Sequence, residues 1–268
     1  MFIQRFGTWI KRGAGVFHPT DLASCIRAFD GGIDAINAAS GVHAVDTETV
    51  DTWTDQTLNA DGTQTTNGDR PVMDSGSMNG SDSLIWDGSN TYMDLGSGSI
   101  ISATGDFNLF FLVDADETNT TINAIFSQYI KVANNGAYLI QTRNTGSVSR
   151  YTITLESDGT QGDVNMNLDL NSPPYGPIIV EFYRSGNTFG GDLNEGETTG
   201  SNVDAGTRSI LQTGNALGVR TNSGTGYLDT PITGQWAGSI GAFFAFDARL
   251  IGTDHSDVVT YLKNTYIP

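Results

Sequence analysis

The chain has 268 residues, of which 38% are hydrophobic and only 16% charged, with 33 glycines. Thirteen basic residues against 30 acidic ones give a formal net charge of −17, a field that repels nucleic acid and anionic membranes, because phosphate binding needs clustered Lys and Arg. One cysteine, Cys25, excludes an internal disulfide and favours assembly in a reducing cytoplasm.

Residues 1–15 carry three of the thirteen bases, Arg5, Lys11 and Arg12, and no acid. Phe2, Ile3, Phe6, Trp9 and Ile10 fall at helical spacing and would share one face. The segment either packs on its own domain as a first helix or strand, or serves as a docking arm. The docking reading assigns partner contacts to Phe2, Arg5, Phe6, Trp9, Ile10, Lys11 and Arg12 and sets the arm at 1–17. Charges interrupt each apolar run here, so the unbroken stretch of about 7–15 residues that marks a signal peptide is missing. No run approaches the ~20 apolar residues of a membrane span.

From His18 to Ile251 the chain reads as β structure. Leu84 to Trp86 and Tyr92 to Leu95 flank Asp87-Gly88-Ser89-Asn90, which predicts a hairpin. Phe107 to Val113 is almost continuously apolar, the pattern of a central strand buried on both faces. Ala137–Thr142 and Tyr151–Leu155 read as further strands. Val164, Met166, Leu168 and Leu170 alternate with Asn165, Asn167 and Asp169, as in a half-buried strand. Ile178–Tyr183 precedes a turn at Ser185-Gly186-Asn187, and Ala216–Arg220 and Trp236–Phe246 complete the count. Thr253 or Asp254 is in position to cap a short C-terminal helix whose Val258, Val259, Leu262 and Tyr266 would pack on the sandwich edge. Frequent strands without long helices predict an all-β, two-sheet antiparallel sandwich, one domain over 18–268.

Three stretches resemble the concanavalin A-like, laminin-G-type jelly rolls found in bacteriophage structural proteins. They are His18-Pro19-Thr20-Asp21-Leu22 running into Ile26–Asp30; Trp53-Thr54-Asp55 followed by Arg70-Pro71 and Trp86-Asp87-Gly88-Ser89; and Gly238–Leu250 before the helix. Trp86 stands where that family usually has Phe. The resemblance implies a lectin-like fold and a virion component, such as a capsid decoration, head-fibre or tail-associated protein. That component would be synthesised in the host cytoplasm, dock on other virion proteins through its N-terminal segment, and form a closed homo-oligomer by analogy. Such a virion domain could also touch host surface glycans. The alternative is a carbohydrate-binding module of a bacterial or viral surface protein. The motif residues themselves read as scaffold: Trp53 and Trp86 fill core, Arg70-Pro71 fixes an extended entry, and Asp87-Gly88 turns the chain.

Catalytic patterns are lacking. Glycan hydrolysis needs two carboxylates about the scissile bond, and the nearest cluster, Asp192, Glu195 and Glu197, reads as a loop. His18, His43 and His255 stand in no motif, Gly76-Ser77-Met78-Asn79-Gly80 lacks the central serine of a nucleophile elbow, and one Cys with three scattered His gives no zinc pair. Cys25 reads as a small core residue. No cofactor is expected beyond calcium, for which Asp114-Ala115-Asp116-Glu117 and Asp30-Gly31-Gly32-Ile33-Asp34 are oxygen-rich candidates. Tyr175, Tyr227 and Asn134-Asn135-Gly136 are candidate sugar contacts.

Overall fold

The structure, a computed structural model, describes residues 17–31, 35–37, 39–98, 100–102, 104–115, 122–128, 138–144, 149–155, 164–170, 176–194, 198–203, 214–219 and 235–267. Its strands are β1 (Cys25–Asp30), β2 (Ala35–Asn37), β3 (Val50–Trp53), β4 (Gly62–Thr63), β5 (Val72–Met78), β6 (Ser81–Asp87), β7 (Met93–Asp94), β8 (Phe107–Ala115) and β9 (Ile122–Gln128). They continue as β10 (Tyr138–Asn144), β11 (Ser149–Leu155), β12 (Val164–Leu170), β13 (Ile178–Ser185), β14 (Thr188–Leu193), β15 (Thr198–Val203), β16 (Asn215–Leu217) and β17 (Ala237–Phe246). An α-helix, α1 (Gly252–Tyr266), follows. The strands form two antiparallel sheets, as expected. One has the order β15-β14-β13-β8-β17-β6-β5, with β1 also paired to β17; the other runs β12-β11-β10-β9-β16-β7-β4-β3-β2.

The near-continuous apolar run of β8 follows from its place between β13 and β17. Phe107, Leu109, Phe111 and Val113 enter the core between the sheets, where the Phe111 and Phe243 rings stack at 4.7 Å. Phe110 and Leu112 point the other way and join Phe244, Phe246 and Ile179 in a second cluster beneath α1. The expected helix residues Val258, Val259, Leu262 and Tyr266 are all buried there. The helix therefore covers a sheet face, not the edge. The reason is that both faces of β8 and β17 are aromatic or aliphatic, and each Å² of bare apolar surface costs about 25 cal/mol. The helix also starts at Gly252 with Ile251 as its N-cap and no side-chain cap, so neither Thr253 nor Asp254 fills that role. No helix among the described residues is long and apolar enough to cross a membrane.

The hairpin expected at Asp87–Asn90 is a crossover between the sheets, since β6 and β7 belong to different ones. The Asp87 carboxylate accepts the amides of Ser89, Asn90 and Thr91 and the Thr91 hydroxyl. With Gly88 at φ 73°, these bonds turn the chain away from its own sheet. Burial pushes the Asp87 carboxyl up, but the Ser89, Asn90 and Thr91 hydrogen bonds outweigh it and hold it at about 2. Trp53 and Trp86 fill core as expected, their rings 6.3 Å apart. Arg70 is extended before Pro71, and its guanidinium donates to the carbonyls of Gln64 and Thr65 and to Asn67 Oδ1.

Two loop residues, Thr47 at φ 66° and Leu58, are held against their preference. Leu58 sits at φ 64° and is 79% exposed, on a turn closed by its amide to the Asp55 carbonyl at 2.9 Å. The left-handed conformation costs a branched residue about 1 kcal/mol, and Asn tolerates it. Leu58→Asn is therefore expected to raise stability by about 0.5–1 kcal/mol, read as a higher urea midpoint; a lower midpoint would show that Leu58 makes a stabilising contact.

Candidate functional site

The charged side chains that meet in the fold come from distant positions. Glu181 on β13 accepts from Asn108 Nδ2 at 2.7 Å, pairs with Arg249 Nη1, and meets His255 Nε2 at 2.9 Å. Arg249 lies over the Tyr183 ring, 3.3 Å from its centroid, and donates to Asn108 Oδ1 at 2.6 Å. Burial would push the Glu181 carboxyl up, but hydrogen bonds from His255 and Asn108 and the charges of His255 and Arg249 hold it below the ordinary value. Asp30, at the end of β1, accepts the hydroxyls of Tyr261, at 2.5 Å, and Tyr266, with His18 Nε2 3.8 Å away. Burial, together with the Asp30 charge, pushes the Tyr266 phenol well above its usual range, so it stays a donor. In both clusters a carboxylate on the sheet is filled by donors from α1 or the segment leading into it. These groups dock the helix. The sequence showed no motif there, because Glu181 and His255 are 74 positions apart and Asp30 and Tyr266 are 236 apart.

Asp55 is the third buried carboxylate. It is fully buried and accepts from Arg27, the amides of Ala28, Thr57 and Ala60, and the Thr57 hydroxyl. This closes the β3–β4 loop onto β1. Cys25 lies nearby, and burial with the Asp55 charge pushes its thiol up to about 12, which suits a packed side chain and not a nucleophile.

The outer face of the nine-stranded sheet has a different character. Along β10, β11 and β12 the inward positions are Tyr138, Ile140, Tyr151, Ile153, Leu155, Met166 and Leu168. The outward positions of β11 and β12 form three polar rungs set by the register of the two strands. Arg150 donates through Nε and Nη2 to Asp169 at 2.6 and 2.9 Å. The Thr152 hydroxyl bonds Asn167 Oδ1 at 2.8 Å, and Thr154 bonds Asn165 Oδ1 at 2.7 Å. Gln141 on β10 stands opposite Thr152. At about 3.4 Å per residue, rungs two residues apart span about 14 Å in all. Asn165 and Asn167 are exposed, while their cross-strand neighbours Thr152 and Thr154 are buried. The hydrogen bond from Arg150, with its charge, lowers the Asp169 carboxyl.

The residues assigned to partner docking, Phe2, Arg5, Phe6, Trp9, Ile10, Lys11 and Arg12, lie outside the described residues, as do the sugar candidates Tyr175, Tyr227 and Asn134–Gly136. Of the suggested calcium ligands, Asp30 is occupied by the two tyrosines, Asp114 and Ala115 belong to β8, and the remainder apart from Gly31 fall outside. Among the described residues no group of three or more His, Cys, Asp or Glu is placed to hold a metal ion. Asp192, expected in a loop, lies on β14; Glu195 and Glu197 are outside. The polar rungs are not legible in the sequence, because alternation marks Asn165, Asn167 and Asp169 only as an outward face. The same period in Arg150, Thr152 and Thr154 was the available signal, but its meaning depends on the strand register.

No family model and no curated protein matches the chain. Solved structures do. The chain is similar to the binding domain of botulinum neurotoxin serotype D, with a TM-score of 0.53 at 11% identity over 89% of this chain and 51% of that one. It is also similar to the sialidase of Trypanosoma rangeli in complex with 2,3-difluorosialic acid, with a TM-score of 0.54 at 9% identity over 92% of this chain and 34% of that one. The CBM40 of the Ruminococcus gnavus IT-sialidase bound to α2,3 sialyllactose aligns with a TM-score of 0.48 at 12% identity, over 66% of this chain and 95% of that one. The chain spans about half of the toxin domain and about a third of the Trypanosoma sialidase. Likeness at such identities concerns the fold, a β-sandwich that hosts many functions.

Proposed function

We propose that the chain is a glycan-binding β-sandwich module without catalytic activity, and that the glycan lies on the outer face of β10–β12. The observation that carries this reading is the row of Thr–Asn and Arg–Asp rungs on the one outer sheet face, opposite the face that α1 covers. Amide and hydroxyl side chains each offer both donors and acceptors, the chemistry that complements sugar hydroxyls, and a row of about 14 Å accommodates a short oligosaccharide. Two structures of similar fold, a toxin binding domain and a sialidase holding a sialic acid derivative, support it.

Titration of the full chain against an array of oligosaccharides tests the reading. Binding is expected, and Asn165→Ala with Asn167→Ala should weaken it roughly tenfold or more, since each lost hydrogen bond contributes about 0.5–1.5 kcal/mol. Binding that survives the double substitution would move the site elsewhere; an array without hits would overturn the reading.

Attachment to a virion through residues 1–17 extends this proposal and rests on their sequence alone: three bases and no acid through residue 15, ahead of an acidic body. Deleting residues 1–15 should abolish incorporation into particles while the domain stays folded, and normal incorporation would overturn the arm.

A further inference from the structure

We infer that Arg249 forms a carboxylate-binding site beside the start of α1, on the helix-covered side of the eight-stranded sheet and apart from the β10–β12 face. Its bonds to Asn108 Oδ1, at 2.6 Å, and to Glu181 both leave from one nitrogen, Nη1. The other two nitrogens, Nε and Nη2, make no hydrogen bond or ion pair. Neither is shut away from water, and the side chain is 22% exposed, so this edge of the guanidinium meets solvent. Two N–H donors side by side in one plane match the two oxygens of a carboxylate, the bidentate pairing that arginine favours.

The fold holds this fork in place before any ligand arrives. The guanidinium lies over the Tyr183 ring, 3.3 Å from its centroid, a contact that attracts a cation to the ring face. Tyr183 in turn lies against Gly190, its partner on β14. A Cβ at position 190 would stand 2.1 Å from the Tyr183 Cζ and 2.2 Å from its hydroxyl oxygen, so only glycine admits the ring there. Asn108 is fully buried, and its Oδ1 also accepts the Leu250 amide at 3.0 Å, which fixes the anchor of Nη1. Glu181 meets Arg249 through Oε1 and His255 through Oε2. It is therefore divided between two partners and does not lie across the open Nε–Nη2 edge. A side chain already immobilised loses little entropy when it binds.

The experiment titrates the full chain with acetate, with glucuronate as a sugar bearing the same group, and with uncharged glucose, at an ionic strength held constant with sodium chloride. The Arg249 Nε–H signal in a nitrogen–proton correlation spectrum is the readout. It should shift and saturate with acetate at a Kd on the order of 1–10 mM, as suits one fork that already shares a carboxylate and works in water. Glucuronate should saturate it at least as tightly, and glucose should leave it unmoved. Equal affinities would assign recognition to the carboxylate alone, and a tighter glucuronate would add the sugar ring; both support the site. Arg249→Lys, which keeps the charge and a donor for Glu181 but loses the fork, should weaken acetate binding about fivefold or more. If that variant does not fold by circular dichroism, Tyr183→Leu, which removes the ring beneath the guanidinium, takes its place and should weaken binding several-fold. A wild-type response that never saturates, or that glucose reproduces, would overturn the site. So would a folded Arg249→Lys that binds acetate as wild type does. None of these results bears on the β10–β12 face, so the glycan-binding reading stands or falls separately.

Discussion

Asp55→Ala is expected to lower the unfolding free energy by about 3–5 kcal/mol, the usual cost of breaking a buried ion pair from one side. The Asp55 side chain is fully buried and that of Arg27 is 10% exposed. Removing the carboxylate leaves the Arg27 guanidinium without its counter-charge, held by the Ala60 carbonyl, and leaves the amides of Ala28, Thr57 and Ala60 without their acceptor. Against a total stability of about 5–15 kcal/mol for a typical domain, this is a large fraction. Asp55→Asn, which keeps an oxygen for Ala28 and Thr57 but loses the charge, should fall between wild type and the alanine variant. Urea unfolding reads both, and a loss below about 1 kcal/mol for Asp55→Ala would show that the β3–β4 loop is not held by this group.

Glu181→Ala should be similarly costly, about 3–5 kcal/mol, because Arg249, His255 and Asn108 all lose the same acceptor. The effect should concentrate in α1, detaching the helix from the sheet before the sandwich unfolds. Earlier hydrogen exchange in residues 252–266 than in β8 would report it. The pH dependence follows from the lowered Glu181 carboxyl. A group whose folded pKa lies below its unfolded value of about 4.3 contributes its full stabilisation above that value. The contribution is lost as pH falls through the folded pKa. Wild type should therefore lose stability in acid below about pH 4.3, and Glu181→Gln should show a shallower acid limb. Identical acid limbs would place the acid sensitivity in other carboxylates.

Local pattern revealed the fold and concealed the chemistry. The double-faced apolar run of β8 and the alternation of β12 each state in a few residues which surfaces are buried, and both appear in the structure as the pattern implies. The spacing of Val258, Val259, Leu262 and Tyr266 likewise marks the buried stripe of α1. Asp87-Gly88-Ser89-Asn90 reads as a hairpin yet forms a crossover, because a turn sequence specifies that the chain bends, not whether the next strand rejoins the same sheet. Asp87 satisfies its neighbours' amides equally well in a hairpin or in a crossover. The Glu181, Asp30 and Asp55 clusters depend on partners brought together by the completed sandwich, and nothing near each carboxylate in the chain announces them. The β11–β12 rungs lie between these extremes. Their residues alternate visibly, but only the register places Thr152 against Asn167 and Arg150 against Asp169.

The central claim, that glycan binding occupies the outer face of β10–β12, is tested most directly by amide hydrogen exchange of the full chain with and without a bound oligosaccharide. Slowed exchange confined to residues 138–144, 149–155 and 164–170 is the predicted result. Protection centred on α1 and the Glu181 cluster, with the β10–β12 face unchanged, would contradict it.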